Sequence, residues 1–149
     1  MDPAPALRYV LSRQPTAMYG RLILPLAKLH VPAEMNPQAC QALAQDAREA
    51  IIRALEVQPI RVKAIVYTSP GHCRAVHSER DPGFVVAEVL FFEGRPRELK
   101  DRLLAELAQV ILRHTGLTPE NVFINIQESQ RQNWGLMGGE PGDQVDLGY

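Results

Sequence analysis

The chain of 149 residues carries 46% hydrophobic and 22% charged residues, with a formal net charge of -1. That is enough apolar material for one ordinary domain, and the near-neutral balance offers no broad field for nucleic acid or an anionic membrane. No apolar run reaches the length of a membrane span, so the expectation is a soluble, cytoplasmic protein whose anion binding rests on a few placed arginines.

Residues 1–24 are rich in Pro and Ala, with Arg8, Arg13 and Arg21 against one acid, Asp2. They lack the apolar block of a secretory signal and read as an N-terminal extension. An apolar strand is expected from Leu22 to Val31, between Gly20 and Pro32. Asn36 then offers an N-cap and Pro37 a first helical residue whose missing N–H costs nothing. Cys40, Leu43, Ala47, Ala50, Ile51, Ala54 and Leu55 follow at helical spacing and predict one buried face, with Cys40 as a small core residue. Pro59 closes this segment, and a second strand runs from Val62 to Tyr67.

The stretch Ser69 to Gly83, with its prolines, glycines and charges, reads as a loop. Its His72, Cys73 and His77 match no standard metal spacing, so no metal is expected. Cys40 and Cys73 are the chain's two cysteines, too few for a disulfide framework, and reduced thiols are expected. A third strand follows from Phe84 to Phe92, then the turn Glu93-Gly94-Arg95-Pro96 and a helix from Arg97 to His114. Leu99, Leu103, Leu107, Val110 and Ile111 form its buried stripe, and Gly116 suits its end. Val122, Ile124 and Ile126 alternate with Phe123, Asn125 and Gln127, as a half-buried strand should.

Shifting the sequence by 60 residues superposes its two halves without a gap. Leu26-Ala27-Lys28-Leu29 falls on Val86-Ala87-Glu88-Val89; Leu43, Ala47 and Ile51 fall on Leu103, Leu107 and Ile111. Pro59 meets Pro119, and Val62, Ala64 and Val66 meet Val122, Ile124 and Ile126. Each half is a strand–helix–strand unit, whose two strands run parallel through a right-handed crossover. The predicted fold is therefore α/β: tandem β-α-β repeats forming a four-stranded sheet with two helices on one face. The other face, expected to be apolar and uncovered, predicts an oligomer. No phosphate-binding glycine loop, nucleophile elbow or pair of catalytic carboxylates is present.

Glu93-Gly94-Arg95, then Glu98-Leu99-Lys100, then Pro119-Glu120-Asn121-Val122-Phe123-Ile124, then Asn133-Trp134-Gly135 before Gly138-Gly139 form an ordered set. The set resembles the tautomerase superfamily, in its 4-oxalocrotonate tautomerase-like members. The fused two-unit length is similar to the malonate semialdehyde decarboxylase-like and chloroacrylate dehalogenase-like branches. The resemblance covers roughly Leu24 to Gly139 and divides the chain into an extension (1–24), a tautomerase-like domain (25–139) and a tail (140–149). Within the domain lie repeat one (25–68), a loop (69–83), repeat two (84–128) and a C-terminal motif (129–139). It implies a homotrimer, no cofactor, and a small-molecule carboxylate as substrate.

The resemblance also implies site residues. Family members use an N-terminal proline as acid, base or nucleophile, and Pro25-Leu26-Ala27-Lys28-Leu29 matches that start. A free secondary amine has a pKa of about 8, which desolvation and nearby arginines lower toward neutrality. An internal proline nitrogen is an amide without such basicity. Three arrangements stay open: a translation start at Leu24, cleavage before Pro25, or retention of the extension with loss of amine catalysis. If the extension is retained, Pro25 is simply a strand proline. Arg95, at the motif turn, is expected to bind the substrate carboxylate with its planar fork. Lys63 sits near another cationic position of the family, and Arg61 flanks it where the decarboxylase branch has an acid, which counts against decarboxylation and hydration. Trp134 is expected to wall an apolar pocket. The activity implied is keto–enol isomerisation of a small 2-oxo or enol acid; the alternative is a catalytically weak or silent member with an assembly or ligand-binding role.

Overall fold

The computed structural model describes residues 24–146. In chain order it contains β1 (Leu26–Pro32), α1 (Pro37–Leu55), β2 (Lys63–Ser69), β3 (Val85–Phe92), α2 (Arg97–Thr115) and β4 (Val122–Ser129). A short hairpin of β5 (Gly135–Leu136) and β6 (Glu140–Pro141) follows. The main sheet has four strands in the order β2-β1-β3-β4. Within each repeat the strands are parallel, and the repeats meet through the antiparallel pair of β1 and β3. This central pairing relates the two units by a local twofold, which strand patterns alone did not predict. Of the first strand expected from Leu22 to Val31, Leu22 and Ile23 lie outside the described residues; among those described it begins at Leu26.

Both helices are 19 residues long, and their ends follow local chemistry. Asn36 Oδ1 accepts from the Ala39 backbone N–H at 2.8 Å, the N-cap bond its side chain is suited to make. At the far end of α1, Glu56 turns left-handed (φ 53) before Pro59, while α2 ends on Gly116 (φ 68), where no Cβ opposes the turn.

The 60-residue repeat extends to single hydrogen bonds. Ala33 N–H donates to Ser69 O at 2.9 Å, and Glu93 N–H to Ser129 O at 3.0 Å. The short turns Pro59–Arg61 and Pro119–Asn121 are equivalent, as are Gly71–Cys73 and Arg131–Asn133. Across the helix pair, Arg53 meets Glu106 at 3.5 Å and its mate Arg113 meets Asp46 at 3.6 Å.

The core lies between the helices and one sheet face. Ala27, Leu29 and Val31 of β1 and Val85, Ala87, Val89 and Phe91 of β3 are fully buried beneath Leu43, Ala47 and Ile51 of α1 and Leu103, Leu107 and Ile111 of α2. Each large aliphatic residue so buried contributes about 1.5–3 kcal/mol of transfer free energy.

The helix-free face is mixed: Leu26, Val86, Leu90, Ile65, Tyr67 and Phe123 give it the apolar character expected, with a polar stripe among them. Side chains alternate along a strand, and the outward set carries Lys28 and His30 on β1, Glu88 on β3, and Asn125 and Gln127 on β4. His30 Nε2 lies 2.8 Å from Glu88 Oε2, Gln127 Nε2 donates to Glu88 Oε1 at 3.2 Å, and the His30 and Tyr67 rings stack. The hydrogen bond from His30, above all, holds the Glu88 carboxyl below the usual carboxylate range. Exposed apolar side chains sit toward the two edges: Ile65 and Tyr67 on β2, and Phe123 on β4.

Candidate functional site

The topology decides which ends of the strands meet. β1 and β2 begin, and β3 and β4 finish, at the same end of the sheet, because β1 pairs parallel with β2 and antiparallel with β3. That end therefore gathers Pro25, Lys63, the Glu93–Arg95 turn and the segment that follows Ser129.

Pro25 directly precedes β1 and is buried. Its carbonyl accepts from the Lys63 backbone N–H at 3.1 Å, so the head of β1 is pinned to the head of β2. Its nitrogen is bonded to Leu24 and in this chain is a tertiary amide. Lys63 stands opposite Leu26 and projects, exposed, from the helix-free face. Arg61 ends the short turn before it and is half-buried. Arg48 of α1 holds this turn from below: its Nε donates to Val62 O at 2.9 Å and its Nη2 to Pro59 O. Arg48 carries no signal in the sequence, where it reads as one more charge on a solvated helix.

Arg95 is 6% exposed, which a solvated turn arginine would not be. Gly94, at φ 109, lets the chain reverse there and send the side chain inward. Arg95 Nη1 donates to Leu55 O at 3.2 Å, satisfying a carbonyl at the end of α1. Burial pushes its pKa down to about 10, against the opposing pull of Glu128 and Glu56, and it remains a cation at neutral pH. Arg95 thus lies on the helix side of the sheet end, whereas Lys63 and Trp134 lie on the helix-free side. The fold gathers the sequence-predicted residues at one end but splits them between two layers.

Trp134 is half-buried over the end of β3, edge-on to Phe92, with ring centroids 5.5 Å apart and an interplanar angle of 86°. Its Nε1–H donates to Ser129 Oγ at 2.7 Å. The Arg131 guanidinium stands 5.7 Å from the Phe92 ring centre, and its Nη2 donates to Gly142 O at 2.8 Å. Arg131 and Ser129 escaped the sequence reading; the sole hint was their nearness to Asn133-Trp134-Gly135. Chemically, this end offers cations on two sides of the head of β1 and an aromatic wall beside it. Among the described residues, no cluster of three or more His, Cys, Asp or Glu is placed to hold a metal ion, and no helix is long and apolar enough to cross a membrane.

Comparisons with known proteins bear on the family and the fold. A family model described as tautomerase enzyme matches residues 61–137, a span that includes Arg61, Lys63, Arg95 and Trp134 but not Pro25. The chain is 33% identical over 52 residues to a 2-hydroxymuconate tautomerase of Pseudomonas putida, a match covering 35% of this chain and 82% of that protein. It is 30% identical over 61 residues to a probable tautomerase of Ralstonia nicotianae, covering 38% and 94% respectively. Among solved structures, a fused 4-OT symmetric trimer superposes with a TM-score of 0.72 at 21% identity, covering 79% of this chain and 96% of the other. A malonate semialdehyde decarboxylase inhibited by 3-bromopropiolate gives 0.66 at 20% identity, covering 78% and 92%.

Proposed function

The chain belongs to the tautomerase superfamily, in its fused two-unit branch, and from that premise we propose that it is a keto–enol isomerase of small 2-oxo or enol carboxylic acids. The observation that carries this reading is the convergence of Pro25, Lys63, Arg95 and Trp134 on one end of the sheet. A free Pro25 amine would take the enol hydroxyl proton and deliver it to carbon, which yields the keto acid and returns the amine to its neutral form. Lys63 and Arg61 would meet the carboxylate on the helix-free side, with Arg95 as the cation behind the strand ends. Phe92 and Trp134 would shield the amine from water, which favours its neutral form. The chain is proposed to act as a homotrimer without an organic cofactor; trimers occur among the fused 4-OT structures it resembles.

This chemistry needs the bond between Leu24 and Pro25 to be absent, since an amide nitrogen cannot accept the proton. The burial of Pro25 and its link to Leu24 favour a second reading, a member that keeps the amide and serves assembly or ligand binding. Intact mass of the purified protein distinguishes them. A species beginning at Pro25 that isomerises an enol acid supports the first reading. A full-length species, inert alongside an equally inert version starting at Pro25, sinks it.

A further inference from the structure

The two ends of the sheet solve one packing problem in different ways. At the end remote from Pro25, Arg74 Nε donates to Ser69 Oγ at 2.8 Å, and Arg74 Nη1 donates to Pro82 O. Its guanidinium lies 4.3 Å from the centre of the Phe84 ring. One arginine thus ties the strand-end serine to the backbone 13 residues beyond it and covers an aromatic ring. Adding 60 to each number gives the Pro25 end: Ser129, Trp134 and Gly142. There Trp134 takes the serine, but an indole has one N–H and cannot also reach the second carbonyl. The carbonyl of Gly142 is instead taken by Arg131, whose counterpart in the first repeat is Gly71, with nothing within 4 Å of a side chain built on it.

The backbone completes the clasp. Trp134 N–H donates to Arg131 O at 3.1 Å, and Gly142 N–H to Trp134 O at 2.8 Å. A Cβ on Gly142 would stand 2.6 Å from Arg131 O, so the clasp leaves no room for a side chain at position 142. Replacing the arginine of the other end by tryptophan gains a flat apolar wall and loses a tie. A second side chain at position 131 restores the tie.

We infer that Arg131 is a positioning residue, which holds Trp134 against Phe92 as the apolar wall of the Pro25 end. This rests on the isomerase reading, because only there does a fixed wall beside the proline serve a reaction. Arg131 acts on bound acid through the indole rather than by touching it. Fixing the wall strengthens binding of ground state and transition state alike, so its loss appears in KM.

Trp134 is the single tryptophan of the chain, so its fluorescence reports the clasp in the full-length protein without any assay of activity. Arg131→Ala should shift its emission to the red and make it easier to quench with acrylamide, while the far-UV circular dichroism stays that of the parent. Arg131→Lys should recover part of the change, since an ammonium can donate to the carbonyl but lacks the planar, several-donor fork. In the form that isomerises enol acids, Arg131→Ala should lower kcat/KM about tenfold, carried by KM, a size typical of a lost apolar pocket contact. Should Arg131→Ala fail to fold, Arg131→Met keeps the stem and removes the donors, and the same red shift is expected. A folded Ala or Met variant with parental emission and quenching overturns the inference. If the emission shifts and no form of the protein isomerises any acid, the isomerase reading falls, and Arg131's hold on Trp134 stands as a structural clasp.

Discussion

Repeat one and repeat two share a core and differ at their tips. Leu43 and Leu103, Ala47 and Leu107, Ile51 and Ile111 are buried at equivalent places, and the ion pairs Arg53–Glu106 and Arg113–Asp46 mirror each other across the helices. At the strand ends the equivalence breaks: Pro25 stands against Val85, Arg95 against Met35, Lys63 against Phe123, and Trp134 against Arg74. Pro25, Arg95, Lys63 and Trp134 all lie at one end. A duplicated unit needs its packing twice, because each sheet half must be covered, but the chemistry only once. Divergence at the strand ends is therefore a guide to where the proposed site lies, although it also occurs elsewhere, as at His114 and Ala54.

The largest expected effect concerns the first of those contrasts. A version beginning Met-Pro25, which loses its methionine, should tautomerise phenylpyruvate or 2-hydroxymuconate faster than the full-length chain. General acid–base catalysis by a placed group contributes about 10²–10⁴-fold. The comparison is a rate per site on equal protein, with intact mass confirming each terminus. Equal rates would show that the Pro25 nitrogen moves no proton, and the contrast with Val85 would then be one of packing.

The shared core gives the opposite forecast, equality. Leu43→Ala and Leu103→Ala each remove a fully buried side chain from equivalent seats, and each should cost about 2–5 kcal/mol. Urea unfolding of both variants tests this. A difference of several kcal/mol between them would mean that the halves are less alike inside than their register shows.

The repeat, both helices and the strand alternation were legible because they rest on local signals: Asn36-Pro37 at a helix start, Gly116 at a helix end, and apolar side chains at every second strand position. The sequence shift also disclosed which residues are equivalent. It could not disclose that β1 and β3 pair antiparallel, and that pairing is what carries Arg95 and Trp134 to the end where β1 starts. Burial of Arg95 was equally hidden, because its partner, the Leu55 carbonyl, lies 40 residues away on another element. The polar stripe within the helix-free face was hidden for the same reason: only the strand registers bring His30, Glu88 and Gln127 side by side among its apolar residues. Arg131 could have been suspected only by asking what the first repeat does with Arg74.

Arg95 and Met35 supply a third test of the contrast. Arg95→Ala removes a charge-assisted bond to Leu55 O, worth about 1.5–3 kcal/mol. If Arg95 also draws in the substrate carboxylate, kcat/KM for acids should fall about tenfold to a hundredfold in the active form, by about 1.4 kcal/mol per factor of ten. Substrates lacking the carboxylate should be nearly indifferent, and Arg95→Lys should restore part of the loss. Equal slowing of acid and non-acid substrates would assign Arg95 to the clamp on α1 alone.

The smallest expected effect breaks the symmetry of the helix pair. Asp46 and Glu106 are mates, each near an arginine of the other helix, but Asp46 also receives His114 Nε2 at 2.7 Å, where the first repeat has Ala54. The hydrogen bond from His114, foremost among the causes, lowers the Asp46 pKa from its ordinary 3.8. A carboxyl depressed in the folded state binds protons more weakly there than in the unfolded chain. Its stabilising contribution is therefore whole above 3.8 and is lost as pH falls through the lower, folded value. Asp46 is half-exposed and its partners are screened by solvent, so the contribution is small. Asp46→Asn should lower the melting temperature slightly at neutral pH and leave it closer to the parent's below 3.8, flattening the acid limb of the stability curve. Glu106→Gln, its mate without a histidine, serves as the control for losing a carboxylate at this seat. Melting curves from pH 2.5 to 7 at low salt would decide the matter. An acid limb unchanged in Asp46→Asn would show that His114 anchors the helix end by packing rather than through the carboxylate.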